Sequence, residues 1–149
     1  MKKICTNKRA AYDYFIDKKI ECGIIFNVSE VKSVAKGKCN ISSSYVDVFS
    51  NELFIVGMDI PRDVNTRLYT HEEKRDRKLL VHKKEIIEFQ NWKKIKGNTI
   101  IPLEVYEKDG KFKILVGLAR GKKNYDKRNS IKEKDIKREN AKEFKNLLK

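Results

Sequence analysis

Two pairs of extended runs, each joined by a short polar turn, constrain the fold of this chain more than any other sequence feature. In the second pair, the turn falls at Asp109 and Gly110, and apolar residues alternate with other residues on both sides. Such alternation is typical of antiparallel strands with one buried face. Pro102 cannot donate a backbone hydrogen bond, so we expect it at a sheet edge or a bulge. The alternating residues are Ile101, Leu103 and Val105 before the turn, and Phe112, Ile114, Val116 and Leu118 after it.

The first pair of runs covers residues 45–49 and 53–58. Between them lie Ser50, Asn51 and Glu52, a polar triplet that suits a hairpin turn. We therefore expect these two runs to pair as antiparallel strands. A further strand is expected over residues 22–26.

Three helices are predicted from apolar spacing and from capping residues. Asn7 can cap a first helix over residues 8–19, where apolar residues recur at four-residue spacing. Ser29 precedes Glu30, whose carboxylate favours the start of a second helix that stops at Gly37. A third helix is expected from residue 82 or 83 to near Gly97.

Five or six short antiparallel strands with inserted helices predict a mainly β fold with helices. We expect a small, closed or partly open barrel of the oligonucleotide-binding type, with about six strands and three short helices. Residues 1–118 would form this barrel domain.

The charge of the chain is uneven. There are 35 Lys and Arg residues against 21 Asp and Glu, a net charge of +14, and the segment 119–149 alone holds 12 basic and 5 acidic residues. This segment is poor in large apolar residues, so we expect a flexible, basic C-terminal tail that becomes helical on a partner. A polyanion such as nucleic acid is the expected partner.

Other classes of protein are disfavoured by the sequence. No apolar run approaches the roughly 18 residues of a membrane-spanning helix, so a cytoplasmic protein without a membrane partner is expected. Cys5, Cys22 and Cys39 are far apart in the sequence and lack a paired motif, so we expect free thiols, with no metal and no cofactor. A small nuclease would need carboxylates that bind a metal ion. The candidates Glu30, Asp47 and Asp59 lack the spacing of such a site.

Five motifs occur in an order that identifies the chain as similar to one known family. They comprise NKRA at 7–10 with DYFI at 13–16, SEVKS at 29–33, GK at 37–38 with Ile41 and SY at 44–45, RKLLVHK at 77–83, and GKK at 121–123 followed by YDKR at 125–128 and IKE at 131–133. Together they resemble the small protein B family over nearly the whole chain. One departure is Val28, where that family usually has Gly.

The resemblance implies an RNA-binding adaptor of trans-translation, expected to be a monomer and not an enzyme. Its barrel would bind the transfer-RNA-like domain of transfer-messenger RNA and deliver it to stalled 70S ribosomes. Its tail would probe the decoding centre and the empty messenger channel. The implied RNA-binding residues are Asn7, Lys8, Glu30, Lys32, Ser33, Lys36, Lys38, Arg77, Lys78, His82, Lys83, Lys122 and Lys123. The implied ribosome-binding residues are Tyr125, Asp126, Lys127, Arg128, Lys132, Lys134, Lys137 and Arg138.

Some roles stay open at this stage. Glu30 could accept hydrogen bonds from RNA or only stabilise the start of a helix. His82 could cap a helix or contact RNA. Glu30→Ala would weaken RNA binding and leave the fold intact if the first role holds. A general RNA-binding barrel without a dedicated partner is the alternative function.

Overall fold

A computed structural model describes residues 2–62, 72–123, 127, 128, 131 and 138. Its strands and helices, in chain order, are β1 (Lys2–Thr6), α1 (Ala10–Asp13), β2 (Tyr14–Ile24), α2 (Val28–Ala35), β3 (Tyr45–Phe49), β4 (Glu52–Val56), β5 (Arg77–Leu80), α3 (Lys83–Lys93), β6 (Asn98–Lys108) and β7 (Lys111–Gly121).

The seven strands found in these residues form one antiparallel sheet in the order β1-β6-β7-β2-β5-β4-β3. The sheet curls so that β3 packs against β6. Within the described chain β1 and β3 are not paired with each other, so the sheet is not closed. The predicted mainly β fold with three helices is confirmed, as an open, curled sheet.

Both predicted hairpins are confirmed, and each turns through two residues. Ser50 and Asn51 have φ values of 50° and 60°, and Asp109 and Gly110 have 53° and 74°. Consecutive positive φ values are the geometry of the turn that matches strand twist, and Asn, Asp and Gly tolerate it best. Glu52 therefore begins β4 instead of belonging to the turn.

The predicted helix over residues 8–19 is wrong beyond its first turn. Only Ala10–Asp13 is helical, and the chain then continues as β2, which pairs with β7 from Tyr14 opposite Gly121 to Gly23 opposite Lys113. A β-bulge between Ile16 and Lys18 breaks the alternation of the strand, which concealed it in the sequence. Long-range pairing with β7 outweighs the local helical spacing.

Pro102 lies at a bulge, as predicted, because the register with β7 shifts between Pro102 and Glu104. The bulge changes which face each residue occupies. Val105 packs in the main core, whereas Ile101 and Leu103 pack with α1 in a smaller cluster. The simple alternation predicted for this strand is therefore wrong at Val105.

The helices pack against the curled sheet and add to its core. Phe89 on α3 is completely buried in the main core. Asn27, and not Ser29, is the N-cap of α2, and the positive φ of Gly37 (77°) ends the turn that follows this helix. His82 occupies the N-cap position of α3, but its side chain makes no capping hydrogen bond.

The last strand extends past the predicted domain boundary. β7 runs to Gly121, three residues beyond residue 118. The division into a barrel and a tail stays a prediction. None of the helices in the described residues is long and apolar enough to cross a membrane.

Candidate nucleic-acid interface

Glu30 lies at the centre of a buried ion-pair network. The side chain is completely buried on α2, where Oε1 accepts hydrogen bonds from the Asn27 backbone N–H (2.8 Å) and from Arg75 Nη2 (2.6 Å). Oε2 accepts from Arg77 Nε at 2.5 Å. Burial alone would raise the pKa of Glu30, but the hydrogen bonds from Arg75, Asn27 and Arg77 outweigh it and hold that pKa below its ordinary value.

Arg77 is also completely buried, and its guanidinium fastens three segments together. Besides Glu30, it donates to the carbonyl oxygens of Met58 (2.7 Å), Arg75 (3.2 Å) and Glu73 (3.1 Å). Direct contact of Glu30 and Arg77 with RNA stays a prediction, and the burial of both side chains argues against it. Neither side chain is accessible, and together they join α2 to β5 and to the end of β4.

Asn7 and Ser33 also have structural contacts. The Asn7 side chain donates to the Pro102 carbonyl oxygen (3.0 Å), and its backbone N–H donates to that of Leu103 (2.8 Å). Ser33 Oγ donates to the Pro61 carbonyl oxygen at 2.7 Å. Both residues are buried; Asn7 joins the end of β1 to β6, and Ser33 joins α2 to the segment after β4. Their direct contact with RNA stays a prediction.

Cationic side chains gather around α1 and the end of β7. Lys122 Nζ donates to the Ala11 carbonyl oxygen (2.8 Å) and lies 4.9 Å from the centre of the Phe15 ring. Lys127 Nζ lies 3.5 Å from the Asp13 carboxylate and 6.0 Å from the Tyr12 ring centre. The guanidinium groups of Arg9 and Arg120 lie over Tyr12 and Phe15, respectively. We call Arg9, Arg120, Lys122, Lys127 and these two rings, with the neighbouring Lys8 and Lys123, the α1 basic cluster.

The predicted lysines of α2 approach the same end of the molecule. Gly37 lies against Ile4 of β1, where an added Cβ would be 3.9 Å from the Ile4 carbonyl oxygen. Exposed side chains flank this contact at Lys36 and Lys38, and Lys32 is exposed on the helix itself. Lys8, which follows β1, lines a cleft with Cys39, so the segment 36–39 and the α1 basic cluster adjoin.

The remaining predicted residues lie elsewhere. His82 lines a groove of about 690 Å³ with Lys111 and Lys113, near the far end of β2. The nine residue steps from Tyr14 to Gly23 place that end roughly 30 Å from α1. On β5, Lys78 pairs with Glu52 (3.1 Å). These residues and the neighbouring Lys83 lie away from the α1 basic cluster, and their contact with RNA stays a prediction.

Of the tail residues, Lys127, Arg128 and Arg138 fall in the described chain and are helical. The Lys127 backbone N–H donates to the Lys123 carbonyl oxygen at 3.1 Å. Tyr125, Asp126, Lys132, Lys134 and Lys137 lie outside the described residues.

Three candidate residues, Arg9, Phe15 and Arg120, were missed from the sequence alone, and so was the stacking of the two guanidinium groups on aromatic rings. The four-residue spacing predicts Phe15 on the apolar face of the first helix, but Phe15 lies on β2 and its side chain is 39% exposed. Arg9 and Tyr12, three residues apart, were the available signal. Tyr106, by contrast, is buried and donates to Glu21, so it cannot stack on a base.

Each carboxylate considered for a nuclease lies beside a cation: Glu30 and Asp59 near Arg77, and Asp47 of β3 beside Lys93 of α3. Among the described residues no group of three or more His, Cys, Asp or Glu side chains could hold a metal ion.

Comparisons with known proteins agree with this geometry. A family model described as SmpB protein matches residues 4–146. The SsrA-binding protein of Fusobacterium nucleatum is 46% identical over 96% of this chain and 97% of its own length, and that of Sulfurihydrogenibium sp. is 45% identical over 99% and 97%. A solved chain from a study of tmRNA-SmpB at the center of the bacterial ribosome is 33% identical, with a TM-score of 0.68 over 85% of this chain and 93% of that one. This chain therefore belongs to the SmpB protein family.

Proposed function

We propose that this protein is the RNA-binding adaptor of trans-translation. It binds the transfer-RNA-like domain of transfer-messenger RNA, the SsrA RNA, and delivers it to stalled ribosomes. Membership of the SmpB family over residues 4–146 is the observation that carries this proposal. Relatives of 46% and 45% identity are SsrA-binding proteins, and the similar solved chain comes from a ribosome study of tmRNA. The protein positions RNA and is not an enzyme.

The α1 basic cluster is the part of the barrel that we assign to RNA. It combines exposed cations, which neutralise phosphates, with Tyr12 and Phe15, aromatic rings on which an unpaired base can stack. Its base is rigid because β2 and β7 pair from Tyr14 opposite Gly121 onward. Lys32, Lys36 and Lys38 extend the positive surface along α2.

The tail is assigned to the ribosome. The segment 119–149 carries half of the net charge, and the Lys127 side chain of this segment lies 3.5 Å from the Asp13 carboxylate of α1. A basic segment that orders on a partner suits a channel lined by ribosomal RNA. We place the decoding-centre contacts at residues 125–128 and the messenger-channel contacts at Lys132, Lys134, Lys137 and Arg138. The protein would act as a monomer in the cytoplasm, where ribosomes translate.

The RNA interface can be tested with two exposed lysines of the α1 basic cluster. A variant with Lys8→Ala and Lys123→Ala should bind transfer-messenger RNA about tenfold more weakly at 0.15 M salt, a loss of ~1.4 kcal/mol. A protein that makes fewer phosphate contacts releases fewer counterions when it binds RNA. The slope of log affinity against log salt concentration should therefore become shallower by about 2. Binding is measured by titration over a range of salt concentrations.

The matched control removes two lysines from the opposite end of β6 and β7. Lys108→Ala with Lys111→Ala makes the same change in net charge at the hairpin tip. This control should retain the salt dependence of the unmodified protein. If both double variants lose affinity and slope equally, RNA binding depends on net charge alone and the α1 basic cluster is not the interface.

A further inference from the structure

Cys5 and Cys39 are brought together although 34 positions separate them in the chain. Their Sγ atoms lie 2.8 Å apart. The backbone on both sides fixes this approach. The positive φ of Gly37 (77°) turns the chain against β1, and Asn40 exchanges two backbone hydrogen bonds with Asp59 (2.8 and 3.0 Å). Cys5 itself belongs to β1, which is paired with β6 opposite Val105.

Reagents in solution can reach the two thiols. Both are half-buried, and they line a cleft of about 270 Å³ with Lys8 and Arg9. Nearby cations favour a thiolate, the reactive form of cysteine. The hydrogen bond from Cys39 lowers the pKa of Cys5, and the same hydrogen bond, with burial, raises the pKa of Cys39. Cys5 is therefore the thiol that reacts first with an oxidant, and Cys39 is the thiol that reacts second.

We propose that Cys5 and Cys39 form an oxidative modification site, at which hydrogen peroxide converts the two thiols into a reversible disulfide. In the first step the Cys5 sulfur attacks one peroxide oxygen and the O–O bond breaks. This step yields a sulfenic acid on Cys5, and the leaving oxygen departs as water with the proton from the Cys5 thiol. The sulfur atoms of the site need to approach by only about 0.8 Å more to reach bonding distance.

In the second step the Cys39 sulfur attacks the sulfur of the Cys5 sulfenic acid. The S–O bond breaks, and a second water leaves with the Cys39 proton. Overall, two thiols and one hydrogen peroxide give one disulfide and two waters. The two sulfurs together lose two electrons, and the two peroxide oxygens gain them.

The bond would fasten the segment after α2 to β1, beside Lys8 and Lys38. It closes a long loop that is otherwise held by hydrogen bonds and packing, so it should restrict the unfolded chain. A rise of about 5 °C or more in the thermal midpoint is expected for the oxidised protein.

The test treats the purified full-length protein with hydrogen peroxide, followed by alkylation of the remaining thiols and mass spectrometry. When the alkylation is done in denaturant, which exposes every remaining thiol, only Cys22 of the three cysteines should still be alkylated. A linked peptide pair holding Cys5 and Cys39, lighter by two hydrogen atoms, should appear and disappear again with dithiothreitol. The thermal midpoint should rise and return with it.

Single variants separate this site from general thiol oxidation. Cys22 is buried, and burial raises its pKa to about 12, so Cys22→Ala should form the same link. Cys39→Ser should instead stop at a sulfenic acid on Cys5, which a cyclic diketone reagent traps. Three alkylatable thiols after a peroxide dose that oxidises free cysteine would overturn the proposal. So would links that involve Cys22 or join two chains.

Discussion

Replacing Glu30 with alanine is expected to destabilise the folded protein by about 3–5 kcal/mol. The change removes the partner of Arg77, a completely buried guanidinium, and leaves its charge uncompensated in the core. It also removes the side chain that accepts the Asn27 N–H at the start of α2. Urea-induced unfolding followed by circular dichroism measures the free energy directly.

An exposed ion pair provides the matched control. Glu52→Ala removes the partner of Lys78, where both side chains are nearly half exposed. Solvent screens such a pair, so the expected loss is less than about 1 kcal/mol. A Glu30→Ala protein as stable as Glu52→Ala would contradict the buried network, and reduced RNA affinity in that stable protein would return Glu30 to the RNA interface.

The same network predicts how stability depends on pH. The folded-state pKa of Glu30 lies below its ordinary value of 4.5, so the unfolded chain takes up the proton first as pH falls. The stability that this carboxylate contributes is therefore present above about pH 4.5 and is lost as pH decreases toward the folded-state pKa. Glu30→Gln should show a flatter decline in unfolding free energy below pH 5 than the unmodified protein.

Removing the chain after Lys123 should separate RNA binding from ribosome rescue. The truncated protein keeps β7 whole, because this strand ends at Gly121 and is paired with β2 up to that residue. We expect its affinity for transfer-messenger RNA to fall less than about tenfold, since the α1 basic cluster loses only Lys127. The rate of ribosome rescue, measured as addition of the peptide tag on stalled ribosomes, should fall by at least about tenfold, which corresponds to ~1.4 kcal/mol.

A cut after Leu118 would be a poor version of this experiment. It would remove the last residues of β7. Among them are Ala119, which is buried, and Arg120, which pairs with Asp17 at 3.1 Å. A full-length variant with Asp126→Ala, Lys127→Ala and Arg128→Ala is the matched control for chain length. Tag addition by the truncated protein at the full-length rate would show that the tail is not needed on the ribosome.

Features set by neighbouring residues could be predicted from the sequence. The turns at Ser50–Asn51 and Asp109–Gly110 depend on residues that tolerate positive φ, and both hairpins are where the pattern places them. The start of α3 and the bulge at Pro102 are also local. The family resemblance, carried by ordered motifs, supplied the function that charge alone left open.

Features set by distant pairing could not be predicted in this way. β2 has helical spacing in its first half and becomes a strand because β7 lies beside it. Glu30 and Arg77 are 47 positions apart, and an acidic residue in a basic motif gives no sign that its partner is buried. Cys5 and Cys39 meet only after Gly37 has turned the chain against β1.

The most direct test of the central proposal compares two RNAs. The purified full-length protein is titrated with transfer-messenger RNA and with an unrelated RNA of equal length, both at about 0.15 M salt, because affinities depend steeply on ionic strength. The adaptor function predicts a preference of tenfold or more for transfer-messenger RNA, ~1.4 kcal/mol. Equal affinity for both RNAs would contradict it and would leave a basic sheet that binds RNA in general.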